Sequence, residues 1–192
     1  MSEKHHKNRH FVFLDRDGVI NVERGDYTLS VDKWLWAPGA LEGILLLTDA
    51  GFNCIVITNQ SCVAKGLQTE ERLNKLHDYM VTQIRCAGGD IFRIYYCPHQ
   101  QSDYCTCRKP EPGLLLQAAR DYDINLSDTF FIGDDTRDIE AGRRAGTHTI
   151  LINISNESVG KESPASQADF QAIDLLDAAH IVISETTIKQ DQ

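Results

Sequence analysis

HFVFLDRDG, residues His10 to Gly18, sets an unbroken apolar run directly against two carboxylates flanking an arginine. An apolar run with so little alternation reads as a strand buried on both faces, the habit of a parallel sheet. Asp15 and Asp17 stand at i and i+2 and project alike while strand geometry lasts. One carboxylate of such a pair can attack an electrophile while the other shuttles a proton, provided a cation suppresses their repulsion. Taken alone, Asp15-Arg16-Asp17-Gly18 is equally an Asp-Gly turn closing a strand.

Comparable runs follow at 53–58 (NCIVIT), 90–97 (DIFRIYYC), 128–133 (DTFFIG) and 148–154 (HTILINI). Helical patterns lie between them. The clearest starts at Thr69, an N-cap, and carries Leu73, Leu76, Met80, Val81 and Ile84 along one stripe; others cover about 40–50, 113–123 and 137–145. Strand–helix alternation of this kind predicts a doubly wound, Rossmann-like parallel α/β sheet, whose ligands sit beyond the carboxyl ends of the strands. The unusual chemistry falls there: Asp15 to Gly18 after the first strand, Thr58-Asn59-Gln60-Ser61 after the second, Cys97 and His99 after the third, Gly133-Asp134-Asp135 after the fourth. Asp134, Asp135 and Asp138 could join Asp15 in an oxygen-ligand site for Mg²⁺, although Asp135 and Asp138 equally suit an N-cap and a first helical turn.

A chain of 192 residues is expected to form one domain over 1–192, with about 1–9 and 189–192 flexible and 155–168 a polar loop. A net charge of −9 argues against nucleic-acid or anionic-membrane partners. The polar N-terminus has no apolar core of a signal peptide, which points to the cytoplasm. Cys54 and Cys86 read as core or boundary residues. Cys97, His99, Cys105 and Cys107 form a thiolate-rich four-ligand set suited to structural Zn²⁺; a Cys105/Cys107 disulfide and a surface loop with incidental thiols are the alternatives.

Four features in this order resemble the haloacid dehalogenase (HAD) superfamily of aspartate-based phosphotransferases: FLDRDGVIN at the first motif, Thr58 at the second, Lys109 at the third, GDDTRD at the fourth. CPH and CxCRKP add a likeness to the branch holding the histidinol-phosphate and heptose-bisphosphate phosphatases. The resemblance implies a capless, Mg²⁺-dependent phosphatase with a zinc-binding loop. Asp15 would be the nucleophile, Asp17 the acid and base, and Thr58 with Lys109 the phosphoryl grip. Mg²⁺ would be held by Asp15, the Asp17 carbonyl and Asp134. Glu23, Arg24, Gly25, Asp26, Asn59, Gln60, Ser61 and Arg108 would bind substrate.

The substrate so implied is a small phosphorylated sugar, foremost the 7-phosphate of a heptose 1,7-bisphosphate used for lipopolysaccharide. Histidinol phosphate is the alternative within enzymes, and a non-catalytic zinc-stabilised module the alternative outside them. A monomer is expected. Two residues depart from the family pattern: Cys62 stands where Gly is common, and Asp135 where Lys is frequent. Trp34 and Trp36 in the segment NVERGDYTLSVDKWLW read as packing residues.

Overall fold

The computed structural model describes residues 9–152 and 167–190. β1 (His10–Leu14) lies between β2 (Phe52–Asn59) and β4 (Phe130–Gly133). β3 (Arg93–Cys97) extends the sheet beyond β2, and β5 (His148–Ile152) and β6 (Phe170–Ala172) extend it beyond β4, all in parallel register. The resulting order, β3-β2-β1-β4-β5-β6, is the doubly wound arrangement expected.

Burial on both faces explains the absence of polar alternation. In β1, Val12 and Leu14 join a core shared with α1 (Ala40–Asp49), α2 (Glu70–Cys86) and α5 (Leu175–Gln190). Phe11 and Phe13 point the other way, into a core with α3 (Gly113–Tyr122) and α4 (Thr136–Ala145). Gly43 lets α1 meet α5 closely, because a Cβ there would lie 2.6 Å from the Leu175 carbonyl oxygen. Thr69 caps α2, its hydroxyl accepting from the Arg72 N–H at 3.3 Å. Chain order reverses between β1 and β4, which opens a crevice at their carboxyl ends. Asp15 follows one strand and Asp134 the other.

Several boundaries differ from expectation for local reasons. The third strand starts at Arg93 rather than 90, because Asp90 closes the preceding turn. Its N–H donates to Thr48 Oγ1 at 3.1 Å, and its carboxylate accepts from Arg85 at 2.7 Å. The fourth starts at Phe130, after a 3₁₀ turn at Leu126–Asp128 in which Asn125 donates to Asp128 at 2.6 Å. β6 and α5 are additional elements. Ile181, Val182 and Ile183 run consecutively in α5 and leave no helical stripe to read, and the helix continues to Gln190 where fraying from 189 was expected. Most of the lead-in over 1–9 and of the polar loop over 155–168 falls outside the described residues, as do 153–154 and 191–192.

Between β1 and α1 the chain makes a flap, pinned where the Val22 N–H donates to the Leu35 carbonyl at 2.9 Å. Trp34 is buried under it, edge-on to Trp36 at 5.3 Å and to Tyr79 at 6.3 Å, so both tryptophans pack as read. The cysteine loop occupies the stretch from Cys97 to α3. Flap and loop form the walls of the crevice, and among the described residues no cap domain is inserted beside it.

Candidate active site

Lys109 is the centre of the crevice. Its ammonium donates to Asp15 Oδ1 at 2.8 Å, Asp138 Oδ1 at 2.7 Å and the Ile57 carbonyl at 2.9 Å, which engages all three N–H groups of a nearly buried lysine. Burial works against the charge, but Asp138 and Asp15 outweigh it and raise the lysine pKa. The backbone of Lys109 is clamped as well. Asn59 accepts from its N–H and donates to its carbonyl, both at 3.1 Å. Asp138 is by its spacing a metal or helix-end acid; its further role, anchoring the lysine, depends on α4 packing beside the loop before α3 and leaves no trace in spacing.

Asp15, Asp134 and Asp138 bring carboxylate oxygens within 4.8 Å of one another. Burial is the largest cause lifting Asp15 to about 7, with the charges of Asp138 and Asp17 adding to it and Lys109 opposing. Asp134 rises to about 8, again from burial first and then from Asp15, Asp138 and Glu23. Its carboxylate accepts no hydrogen bond among the described residues. Three hard, crowded oxygen donors with one partnerless member fit a divalent cation such as Mg²⁺. Gly18 guards that approach: it sits at φ +81°, and a Cβ there would lie 1.8 Å from Asp134 Oδ2.

A pH dependence follows. Folded carboxylates at about 7 and about 8 hold protons that unfolded ones near 3.8 have released, so stability must fall as pH rises through that window. Metal-free protein is therefore expected to melt progressively lower from about pH 5 to about pH 9. Millimolar Mg²⁺ should raise the melting temperature more at the alkaline end. A flat profile, or equal Mg²⁺ stabilisation at both ends, would contradict the electrostatics.

Asp17 faces a different set of groups. Arg16 Nη2 reaches both of its oxygens at 2.8 and 2.9 Å, Asn21 donates to Oδ1 at 2.9 Å and Gln60 to Oδ2 at 2.8 Å. Burial pushes this carboxyl up, yet the Arg16 charge and these three donors hold it below the usual range. Arg16 is itself buried against His77, whose Nε2 lies 3.2 Å from Nη1. Burial and the guanidinium hold that histidine at about 3, so its ring is a neutral acceptor. The turn after Leu14 thus sends the two aspartates to different partners rather than projecting them alike.

The crevice holds a cavity of about 340 Å³, lined by Asp15, Asp17, Thr58, Ser61, Lys109 and Asp134, and by Glu23, Gly25 and Asp26 from the flap. Arg24 does not line it. Gln60, expected to meet substrate, is 1% exposed and its amide is spent on Asp17 and Thr58. Asn59 borders the cavity, but its side chain is committed to Lys109. Ser61 Oγ lies 3.0 Å from the Tyr27 hydroxyl, which accepts from Lys65 at 2.7 Å and so ties the flap to the β2–α2 loop.

Arg108, Arg137 and Lys65 bring positive charge to the rim. Asp135 serves as the N-cap of α4, accepting from the Arg137 N–H at 2.8 Å and pairing with its guanidinium at 2.8 Å. The acidic departure is thereby neutralised by an arginine that lines the cavity, a compensation two residues away that position-by-position reading misses.

At the end of β3, Cys97 and Cys107 sulfurs lie 3.3 Å apart, Cys105 is 3.4 Å from Cys107 and 3.6 Å from Cys97, and His99 Nδ1 is 3.2 Å from Cys107. A tetrahedral zinc with ~2.3 Å bonds requires sulfur separations of about 3.7 Å, close to these. The Cys105 and Cys107 sulfurs are not bonded to each other, and both turn toward Cys97. The four donors fit Zn²⁺ with no position open for chemistry. Replacing Cys107 by Ser should abolish zinc retention and lower the melting temperature by about 10 °C. It should also reduce turnover without moving the Mg²⁺ half-saturation point. Zinc content and activity varying independently would sever the loop from the site.

The HAD-hydrolase-like family model matches residues 106–178. The chain is 35% identical over 184 residues to the D-glycero-beta-D-manno-heptose-1,7-bisphosphate 7-phosphatase of Neisseria meningitidis serogroup B, covering 93% of this chain and 97% of that relative. To the protein of the same name from Bordetella bronchiseptica it is 39% identical over 145 residues, covering 76% and 81%. A crystal structure of D,D-heptose 1,7-bisphosphate phosphatase from B. bronchiseptica, complexed with magnesium and phosphate, matches with a TM-score of 0.83 at 35% identity, over 92% of this chain and 99% of that one.

Proposed function

The chain belongs to the HAD-type phosphatases, among the heptose 1,7-bisphosphate phosphatases, and on that footing we propose that it is a Mg²⁺-dependent enzyme removing the 7-phosphate of D-glycero-D-manno-heptose 1,7-bisphosphate. The observation that carries the reading is a buried lysine bridging Asp15 and Asp138 beside the partnerless carboxylate of Asp134. A carboxylate can attack a phosphate dianion only where fixed positive charge separates them.

In the first step Asp15 forms a bond to phosphorus as the bond to the sugar oxygen breaks, and Asp17, entering in the minor protonated form because Arg16 favours its carboxylate, gives that oxygen a proton. In the second step Asp17 takes a proton from water, water attacks the aspartyl-phosphate, and inorganic phosphate leaves with Asp15 restored. Thr58 donates to the phosphoryl oxygens, and Lys109 turns the N–H it gives Asp15 toward them as substrate binds, keeping Asp138 and the Ile57 carbonyl. When bound, Mg²⁺ would be held by Asp15, Asp134 and the Asp17 carbonyl, and would supply the charge neutralisation that keeps the nucleophile ionised. The non-reacting phosphate faces Arg108 and Arg137, and the sugar hydroxyls face Glu23, Gly25, Asp26 and Ser61.

The same reading makes the chain a single-domain, monomeric, cytoplasmic enzyme. Its product keeps one phosphate for activation of the sugar toward lipopolysaccharide and other surface glycans. Among the described residues no helix is long and apolar enough to cross a membrane. Turnover of heptose 1,7-bisphosphate, fructose 1,6-bisphosphate and histidinol phosphate tests the substrate. The heptose is expected to lead in kcat/KM by about 10²-fold or more, and a preference for histidinol phosphate would overturn the assignment.

A further inference from the structure

Gln60 departs from its expected place against substrate. It sits in the loop that should face phosphate, yet it is 1% exposed, and one side-chain amide nitrogen donates to two groups the reaction needs. Those groups are Asp17 Oδ2 at 2.8 Å and Thr58 Oγ1 at 2.9 Å. Chemistry fixes the orientation of the amide. A carboxylate oxygen offers no proton, so the nitrogen must face Asp17, and Oε1 is left facing the Cys62 thiol at 3.7 Å.

Cys62 is the departure that the family pattern leaves unexplained. Its buried sulfur also lies 3.5 Å from Gln68 Oε1, and Gln68 Nε2 donates to the Leu29 carbonyl of the flap at 3.0 Å. A string of polar contacts therefore runs from the flap through Gln68 and Cys62 to Gln60, and ends on the two reacting-centre groups.

We propose that Gln60 is a positioning residue that holds the Asp17 carboxylate and the Thr58 hydroxyl in one frame, with Cys62 backing its amide. The donor from Gln60 occupies a lone pair of Thr58 Oγ1, which directs the threonine's own proton away from the amide and toward a phosphoryl oxygen. The donor to Asp17 acts from inside the protein, leaving 26% of that side chain open to the cavity. The inference rests on Asp17 being the acid that protonates the leaving oxygen.

The two arms of the bridge separate experimentally. Loss of the Thr58 arm weakens the grip on phosphate for every substrate alike. Loss of the Asp17 arm slows only those whose leaving oxygen needs a proton. Gln60→Met keeps the size and removes both donors. Single-turnover formation of the aspartyl-phosphate is measured with heptose 1,7-bisphosphate, whose alkoxide must be protonated, and with p-nitrophenyl phosphate, whose phenolate leaves without help. The sugar rate is expected to fall about 10-fold further than the aryl rate.

Taking the ratio within one preparation cancels any unfolded fraction. Equal losses on both substrates would overturn the shared frame, leaving Gln60 a support for Thr58 alone, and no loss on either would overturn both arms. Asp17→Asn is the reference and should show a larger differential of the same sign. If it shows none, the acid assignment itself fails, an outcome distinct from Gln60→Met alone behaving evenly.

Discussion

Asp15→Asn is expected to lower kcat by at least about 10⁴-fold while leaving the metal-free protein as stable as before or more so. The two effects have one origin. Asp15 is a carboxylate placed where charge is unwelcome: burial lifts it to about 7, and Asp138 and Asp17 add to that lift. An amide removes the charge but keeps an oxygen that can accept from the Arg16 N–H and from Lys109, which the carboxylate takes at 2.7 and 2.8 Å. The folded state then no longer loses a proton from this position as pH rises, so the alkaline decline in melting temperature should become shallower. No amide can attack phosphorus and be regenerated by water. Turnover, acyl-phosphate detection by mass spectrometry and melting curves at pH 6 and 9 together check the pair. Residual turnover above about 1% would remove Asp15 as nucleophile.

The parts of this architecture legible in the sequence are those where a residue's surroundings are local. β1 and β2 announce themselves because both faces are buried and the apolar runs are unbroken. Their polar ends mark the crevice because a doubly wound sheet collects such ends on one side. Cys97, His99, Cys105 and Cys107 are equally plain, since few other chemistries gather three thiols and an imidazole within eleven residues. What stayed hidden depends on contacts across the fold.

Asp138 anchors Lys109 from another element, and Gln60 reaches back 43 residues to Asp17. Arg137 cancels a charge that seemed to spoil the cavity. α5 hides for a local reason: Ile181 and Ile183 flank the buried Val182 and put apolar residues on more than one face, which blurs the stripe. The cysteine loop also has less of the aiming to itself than its sequence suggests. It delivers Lys109 two residues after its last ligand, but Asn59 fixes that lysine's backbone from β2.

Lys109→Met tests how far one buried charge organises the rest. The variant leaves Asp15 and Asp138 without their shared cation, and removing one partner of a buried ion pair costs about 3–5 kcal/mol. That cost should depend on pH in a defined direction. Lys109 opposes the upward shift of Asp15, so its removal raises that pKa further and widens the window in which the folded carboxyl holds a proton the unfolded one has lost.

Destabilisation is therefore greatest near pH 9 and relieved toward pH 5, where Asp15 is neutral. Activity should not recover with it. In the proposed mechanism the lysine's place at the transferring phosphoryl group is vacant at every pH, and a loss of about 10³-fold in kcat is expected throughout. Melting curves and pH–rate profiles of the variant with saturating Mg²⁺ measure both. Activity returning in parallel with stability at low pH would show that the lysine serves the fold alone, and that the positive charge for phosphate comes from elsewhere.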